Sequence, residues 1–125
     1  MTKIGLTPLL AALSGFVCVA VGAFGAHAIA DPHARELIEI GVRYNMWHTM
    51  AAIASVSFRN WGAPIARFAA PFFFVGIVLF SGSLYLRSMG MSMAAMTIMA
   101  PPLGGLAFLT GWAILIAAGL QLIKK

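Results

Sequence analysis

Four long runs without a charged side chain constrain the fold of this chain more than any other feature. The runs cover residues 4–30, 44–58, 68–86 and 88–123, and none of them contains Asp, Glu, Lys or Arg. The whole chain is 62% hydrophobic and only 9% charged, whereas soluble domains carry about 25% charged residues. A chain of 125 residues cannot bury that much apolar surface in one small globule, so we expect it to lie in a lipid bilayer.

The lengths of the runs predict four membrane-spanning helices. A helix needs about 20 apolar residues to cross a bilayer, and the second run reaches this length when Arg43 and Arg59 extend to the headgroups. The fourth run is too long for one helix and contains Pro101-Pro102, so we predict a linker or re-entrant segment over 88–101. The sequence therefore predicts an all-α polytopic membrane protein, a four-transmembrane-helix bundle in a single domain (1–125), with spans at about 5–29, 42–59, 68–87 and 102–123.

The first loop is predicted to contain a short surface helix. Asp31 is a good N-cap residue, and Pro32 follows at the first helical position. Apolar residues then recur at helical spacing. We interpret this segment as a connector that runs into the second span, with a lid over an outward-facing site as the alternative.

The end of the first run has the form of a signal-peptide cleavage site. Ala28-Ile29-Ala30 has small residues at both ends of the triplet. The apolar run before it is longer than the signal-peptide core of about 7–15 residues. We therefore expect this run to be retained as the first span.

The distribution of charge predicts the orientation in the membrane. An even number of spans places both termini on one side, and basic residues are enriched on the cytoplasmic side of membrane proteins. The terminal side has five basic residues: Lys3, Arg59, Arg67, Lys124 and Lys125. The other side has three, together with all the acids: Arg35, Arg43, Arg87, Asp31, Glu36 and Glu39. We therefore predict cytoplasmic termini, and we assign the scattered basic residues to lipid headgroups, not to nucleic acid.

Small residues recur on one face of the first and fourth spans. Apolar side chains gain nothing by leaving lipid for a helix interface, so close approach of small residues matters for helix packing. The residues predicted to pack helices are Ser14, Cys18, Gly22 and Ala26 at steps of four, and Gly104 and Gly111 at a step of seven. We expect them to pack within the bundle, and self-association into a homo-oligomer is the alternative.

Polar side chains from three spans are predicted to lie in the outer half of the membrane. Buried polar groups in lipid need partners. The candidate residues are His27, Tyr44, His48, Ser81, Ser83 and Tyr85. One hypothesis is that they hydrogen-bond to one another and fix the helix packing. The other is that they face a small cavity and bind a ligand or a lipid.

Metal binding and catalysis have little support in the sequence. Zinc needs three or four ligands, and the outer layer offers two histidines. The methionines near the outer surface would suit Cu(I), although Met is also a common apolar filler: Met89, Met91, Met93, Met96 and Met99. A serine with a histidine would lack an orienting acid, since no span contains Asp or Glu. We predict no metal, no cofactor and no enzymatic activity.

Several short motifs resemble a known family. The stretches GAFGAH (22–27), YNMWH (44–48), FSGSLY (80–85) and PLGG (102–105), followed by Gly111-Trp112, occur in this order. Together they resemble the small bacterial inner-membrane proteins typified by YgdD. The resemblance covers nearly the whole chain and implies a four-span inner-membrane protein, without implying an activity.

These observations favour a non-enzymatic inner-membrane protein with a structural or interaction role and a small-ligand or lipid site in its outer half. The alternative is a small channel or transporter with a polar path lined by His27, His48 and the Ser81/Ser83 edge. Proton-coupled carriers usually keep a carboxylate within the membrane, and small multidrug exporters depend on a glutamate in the first span, where this chain has none. A path would also need polar groups in the inner half, so a channel would form more readily at an oligomer interface.

Overall fold

The computed structural model describes residues 5–91 and 94–125, with side chains in the second range described from Ile98 onward. Four long helices and no strand occur in these residues, which confirms the all-α prediction for this part of the chain. The helices are the first (Thr7–Ala28), the second (Pro32–Asn60), the third (Pro64–Ser88) and the fourth (Ala94–Ile123).

The third helix is not regular along its length. It begins with a 3₁₀ segment (Pro64–Phe68) and continues as an α-helix (Ala69–Gly76). A π-helical turn follows (Ile77–Ser81), and the helix ends with a second α-helical segment (Gly82–Ser88). Such π turns insert an extra residue, and they are frequent at functional sites.

Length and composition allow three of the helices to cross a membrane. They are Thr7–Ala28, Pro64–Ser88 and Ile98–Ile123, with mean hydropathies of 2.2, 1.9 and 2.0. The second helix has 29 residues, but it is not one of the three apolar candidates because polar and charged residues occur along it. The structure thus supports a helical membrane protein with three candidate spans.

The second helix is central to the packing. It contacts the first helix along one side and every segment of the third helix along the other. The fourth helix packs mainly against the third helix and touches the second only lightly. Small side chains dominate the core, including the fully buried Ala52, Ala66 and Ala69 around the ring of Phe73.

The start of the second helix follows the sequence prediction. The Asp31 carboxylate accepts a hydrogen bond from the backbone N–H of Ala34 at 3.1 Å, and Pro32 occupies the first turn. The predicted surface helix is not a separate element, however. It forms the first turns of one continuous helix that ends at Asn60.

The predicted linker over 88–101 was wrong for its second half. The structure is helical from Ala94, and the fourth helix continues through Pro101 and Pro102. Each proline removes one backbone hydrogen bond, but membrane helices tolerate such losses when neighbouring groups and local adjustment satisfy the freed carbonyls. The fourth apolar helix therefore begins before residue 102, the predicted boundary.

Glycines bring the third and fourth helices into close contact. A Cβ atom at Gly104 would lie 2.6 Å from the backbone nitrogen of Phe80, and one at Gly111 would lie 2.5 Å from the Phe73 ring. The contact at Gly104 is with backbone and requires one of the helices to move, whereas the contact at Gly111 requires the buried Phe73 ring to shift. The stripe on the fourth helix therefore faces a neighbour within the same chain.

The small residues of the first helix face the second helix. The Cys18 thiol is buried and donates to the Val42 carbonyl oxygen at 3.2 Å, and Gly22 also lies against Val42. The closest approach is at Gly25, where a Cβ atom would be 2.6 Å from the Ile38 side chain. Ala26, which the spacing placed on the same stripe, is exposed.

Candidate functional site

Asn45 is the centre of a polar network that joins the first three helices. Its side chain is 2% exposed. Asn45 Oδ1 accepts from the Ser14 hydroxyl at 2.9 Å and from the Thr49 hydroxyl at 3.2 Å. Asn45 Nδ2 donates to the Tyr85 hydroxyl at 3.0 Å. Because both ends of the amide are paired, this network is well suited to fixing helix positions in an apolar surrounding.

The backbone of Gly41 is a second contact between the second and third helices. The Ser81 hydroxyl donates to the Gly41 carbonyl oxygen at 2.7 Å, and Ser81 is fully buried. The Tyr85 ring packs on the same glycine, since a Cβ atom there would lie 2.6 Å from the ring. Ser81 ends the π turn, so the irregular turn occurs where the third helix contacts Gly41.

His48 lies in an aromatic cluster with residues of the third and fourth helices. Its ring stacks on Phe108 with centroids 3.5 Å apart and an interplanar angle of 9°. Phe73 and Trp112 also approach the imidazole, with centroid distances of 5.7 Å and 6.1 Å. Contacts from the third and fourth helices therefore fix the plane of the imidazole ring.

The hydrogen bond of His48 determines which ring nitrogen carries the proton. His48 Nδ1 lies 2.6 Å from the Tyr44 carbonyl oxygen. A carbonyl oxygen can only accept, so Nδ1 is the protonated nitrogen and Nε2 has a free lone pair in the neutral ring. No described residue donates a hydrogen bond to Nε2, although His48 is only 4% exposed.

Nε2 retains some accessible surface, and His48 lines a cleft between the second and fourth helices. No side-chain nitrogen or oxygen in the described part of the chain is both sealed and unpaired, so the unpaired Nε2 must have some accessible surface. His48 lines a cleft of ≈ 510 Å³ whose other walls include aromatic side chains. These are Tyr44, Trp47, Phe80, Phe108 and Trp112. The cleft opens on the outer surface of the bundle, because Trp47 and Trp112 are both exposed.

A second cleft lies between the first and third helices. It has a volume of ≈ 410 Å³, and its lining is apolar apart from the Asn45 network at its base. Ser14, Asn45 and Tyr85 reach this cleft, but their polar atoms are already hydrogen-bonded to one another. A ligand in this cleft would therefore find fewer available hydrogen-bonding groups than a ligand in the cleft beside His48.

The structure does not bring the six predicted site residues together at one site. Tyr44 and His48 lie in the aromatic cluster, whereas Ser81 and Tyr85 face the Gly41 contact. The Ser83 hydroxyl donates to the Phe80 carbonyl oxygen of its own helix. His27 is exposed at the end of the first helix.

Sequence reasoning missed the two most connected polar residues. Asn45 and Thr49 are buried and four residues apart, so they share one helix face. Asn45 is the only asparagine within the four uncharged runs. An amide at such a position has four hydrogen-bonding sites to satisfy, and this signal could have identified it.

Metal ligands are sparse in the part of the chain that the structure describes. No group of three or more His, Cys, Asp or Glu side chains there is close enough to hold a metal ion. Among the methionines considered for Cu(I), Met89, Met91 and Met99 are exposed. Met93 and the side chain of Met96 lie outside the described residues.

Comparison with known proteins supports the resemblance seen in the motifs. The family model described as "Protein of unknown function (DUF423)" matches residues 21–105. A UPF0382 membrane protein of Haemophilus influenzae is 39% identical over 106 residues, which is 82% of this chain and 84% of the relative. No solved structure matches.

Two further relatives cover most of both chains. The UPF0382 inner membrane protein YgdD of Escherichia coli K12 is 36% identical over 121 residues, which is 94% of this chain and 91% of the relative. The UPF0382 membrane protein YwdK of Bacillus subtilis is 32% identical over 120 residues, covering 90% and 94%. The residues matched by the family model include Asn45 and Tyr85, His48 and the π turn. The chain therefore belongs to the DUF423/UPF0382 family of membrane proteins.

Proposed function

We propose that this protein is a non-enzymatic, four-span inner-membrane protein whose role is to bind a small membrane-soluble ligand at the cleft beside His48. The single observation that carries the proposal is the unpaired Nε2 of a 4% exposed histidine that lines this cleft. An unpaired polar atom that faces an apolar surrounding carries an energetic cost. A ligand that donates to Nε2 would remove this cost.

The remaining polar side chains support a structural role for the rest of the bundle. Ser81, Asn45 and Ser14 hydrogen-bond to groups on other helices, and Ser83 bonds to its own helix. Neither the Ser81 nor the Ser83 hydroxyl is hydrogen-bonded to His48. This arrangement lacks the nucleophile–base pair that acyl-transfer chemistry requires, and it supports a binding role over a catalytic one.

The contacts of the second helix support the proposed four-span topology. Cys18 and Asn45 connect this helix to the first and third helices, which are both candidate spans. Twenty-nine residues extend about 43 Å at 1.5 Å per residue, which exceeds the roughly 30 Å of the hydrocarbon core. The second helix is therefore long enough to cross the bilayer beside the two candidate spans that it contacts. The name of the E. coli relative supports placing the protein in the inner membrane.

The alternative of a channel or transporter has no specific observation in its favour. A polar path needs accessible groups through the full thickness of the bundle. The Ser55 hydroxyl, in the inner half, donates to the Ala52 carbonyl of its own helix at 2.6 Å and is buried. Binding at one cleft therefore accounts better for the described polar groups.

Native mass spectrometry of the protein purified in mild detergent tests the proposal. We expect a bound small molecule on the unaltered protein and its loss in His48→Phe, which keeps a flat ring for stacking on Phe108. His27→Phe is the matched control, because His27 is exposed and outside the cleft. Absence of any bound mass, or equal loss in both variants, would count against a site at His48.

A further inference from the structure

The cleft beside His48 also indicates which chemical class of ligand it binds, and this step rests on the function proposed above. Its opening is flanked by residues whose exposed side chains would face lipid, including Leu106 and Leu109. A ligand would therefore enter from the membrane and be largely apolar. Water-soluble anions, sugars and nucleotides do not fit such an entrance.

The hydrogen-bonding role of Nε2 requires a donor on the ligand. Nδ1 already donates to the Tyr44 carbonyl oxygen, so neutral His48 presents an acceptor at Nε2. Phe108 covers one face of the imidazole at 3.5 Å. A ligand group must therefore approach Nε2 along the ring edge, with an O–H or N–H directed at the nitrogen.

The walls of the cleft favour a flat ring over an alkyl chain. The Tyr44 ring lies near both Trp47 and Phe80, with ring centroids 5.3 Å and 4.5 Å away. Trp112 also lines the cleft, and its ring centroid lies 6.1 Å from that of His48. Aromatic rings gain about 0.5–1.5 kcal/mol beyond their buried area when they pair with another ring in stacked or edge-to-face geometry.

We infer that the cleft binds a membrane-soluble molecule with a hydroxylated aromatic ring, of the phenol or quinol class. The ring lies against the walls formed by Tyr44, Trp47 and Trp112, and its hydroxyl donates to Nε2 of His48. The entrance has room for the ring of the ligand beside Gly105. This glycine has no side chain, and a Cβ atom there would meet nothing within 4 Å.

A pair of probes that differ only in the hydroxyl hydrogen tests this inference. The full chain in phosphatidylcholine nanodiscs is titrated with 4-octylphenol and with 4-octylanisole, in which a methyl group replaces that hydrogen. Bound copies are counted by native mass spectrometry. We expect the phenol to bind about three- to tenfold more tightly, which corresponds to one neutral hydrogen bond. The aliphatic alcohol 1-dodecanol should bind more weakly than the phenol.

Two variants assign the preference to Nε2. In His48→Phe the phenol and the anisole should bind equally, and in His48→Gln, whose amide oxygen is also an acceptor, the preference for the phenol should persist. Equal binding of phenol and anisole to the unaltered protein, or an unchanged preference in His48→Phe, would overturn the inference, as would dodecanol binding as tightly as the phenol. If His48→Phe fails to fold, the comparison on the unaltered protein still decides.

The two proposals fail in different ways. If both probes bind without discrimination but lose affinity in His48→Phe, the site exists and only the assigned ligand class is wrong. If neither probe responds to any change at His48 and no endogenous mass is found, the proposed function itself fails.

Discussion

The side-chain amide of Asn45 donates to the hydroxyl of Tyr85 at 3.0 Å, across the interface between the second and third helices. The other end of the same amide accepts from Ser14 on the first helix. Asn45 is therefore the one described residue whose side chain is hydrogen-bonded to both neighbouring helices. A geometry this specific can determine how three apolar helices are rotated relative to one another.

Replacing Asn45 should destabilise the bundle. Interhelical hydrogen bonds in membrane proteins contribute about 0.6 kcal/mol on average and up to about 1.7 kcal/mol, so we expect Asn45→Leu to lower the free energy of unfolding by about 1–3 kcal/mol. The measurement is reversible unfolding in mixed micelles. The control is Asn60→Leu at the exposed end of the same helix, and an equal loss in both variants would contradict the role of the network.

Adjacent glycines on the fourth helix should respond very differently to the same methyl group. At Gly104 the new Cβ would lie 2.6 Å from the backbone of Phe80, whereas at Gly105 it would meet nothing within 4 Å. Overpacking typically costs about 1–3 kcal/mol. Gly104→Ala should therefore lower the midpoint of thermal unfolding clearly, and Gly105→Ala should leave it nearly unchanged. Similar midpoints for the two variants would show that the helices are not this close.

The two serines of the FSGSLY stretch should also differ. Ser81 donates to Gly41 on the second helix, whereas Ser83 donates within the third helix. We expect Ser81→Ala to cost about 0.6–1.7 kcal/mol and Ser83→Ala to cost less. Unfolding of both variants under the same conditions checks this order, and a larger effect at Ser83 would refute it.

Labelling of single cysteines should reveal four crossings. The side chain of Lys125 bonds to the Gly62 carbonyl oxygen, so the C-terminus lies at the same end of the bundle as the turn after the second helix. In a Cys18→Ser background, we expect Asn60→Cys and Lys125→Cys to react with an impermeant maleimide only from the cytoplasmic side.

Two positions at the other end complete the topology test. His33→Cys and Ser88→Cys should react from the periplasmic side, because the proposed topology places the ends of the first and third helices there. Labelling of His33→Cys and Asn60→Cys from the same side would mean that the second helix does not cross the membrane. The proposed four-span topology would then be incorrect.

The sequence predicted the all-α architecture because uncharged runs of this length have few alternatives in lipid. It also located the N-cap at Asp31, since the side-chain oxygen and the following proline act locally. The same local reasoning placed a boundary at Pro101-Pro102, where a proline pair would end a helix in water. In the structure that local preference does not decide the boundary, and the fourth helix continues through both prolines.

The candidate site was harder to predict because depth in the membrane does not determine the direction of a side chain. His27 and His48 were expected at similar depth, yet one is exposed and the other is stacked against Phe108. The π turn in the third helix also changes which residues face Gly41, and no residue pattern indicated it. The close approach at Gly41 itself depends on where the Tyr85 ring packs.

The central claim is that Asn45 holds the helices together whereas His48 binds a ligand, and a paired experiment on Asn45→Leu and His48→Phe tests it most directly. Thermal unfolding and 4-octylphenol binding are measured for both variants beside the unaltered protein. We predict a lower unfolding midpoint with retained phenol binding for Asn45→Leu, and a nearly unchanged midpoint with phenol binding about three- to tenfold weaker for His48→Phe. Equal destabilisation of both variants with unchanged phenol binding would contradict the account.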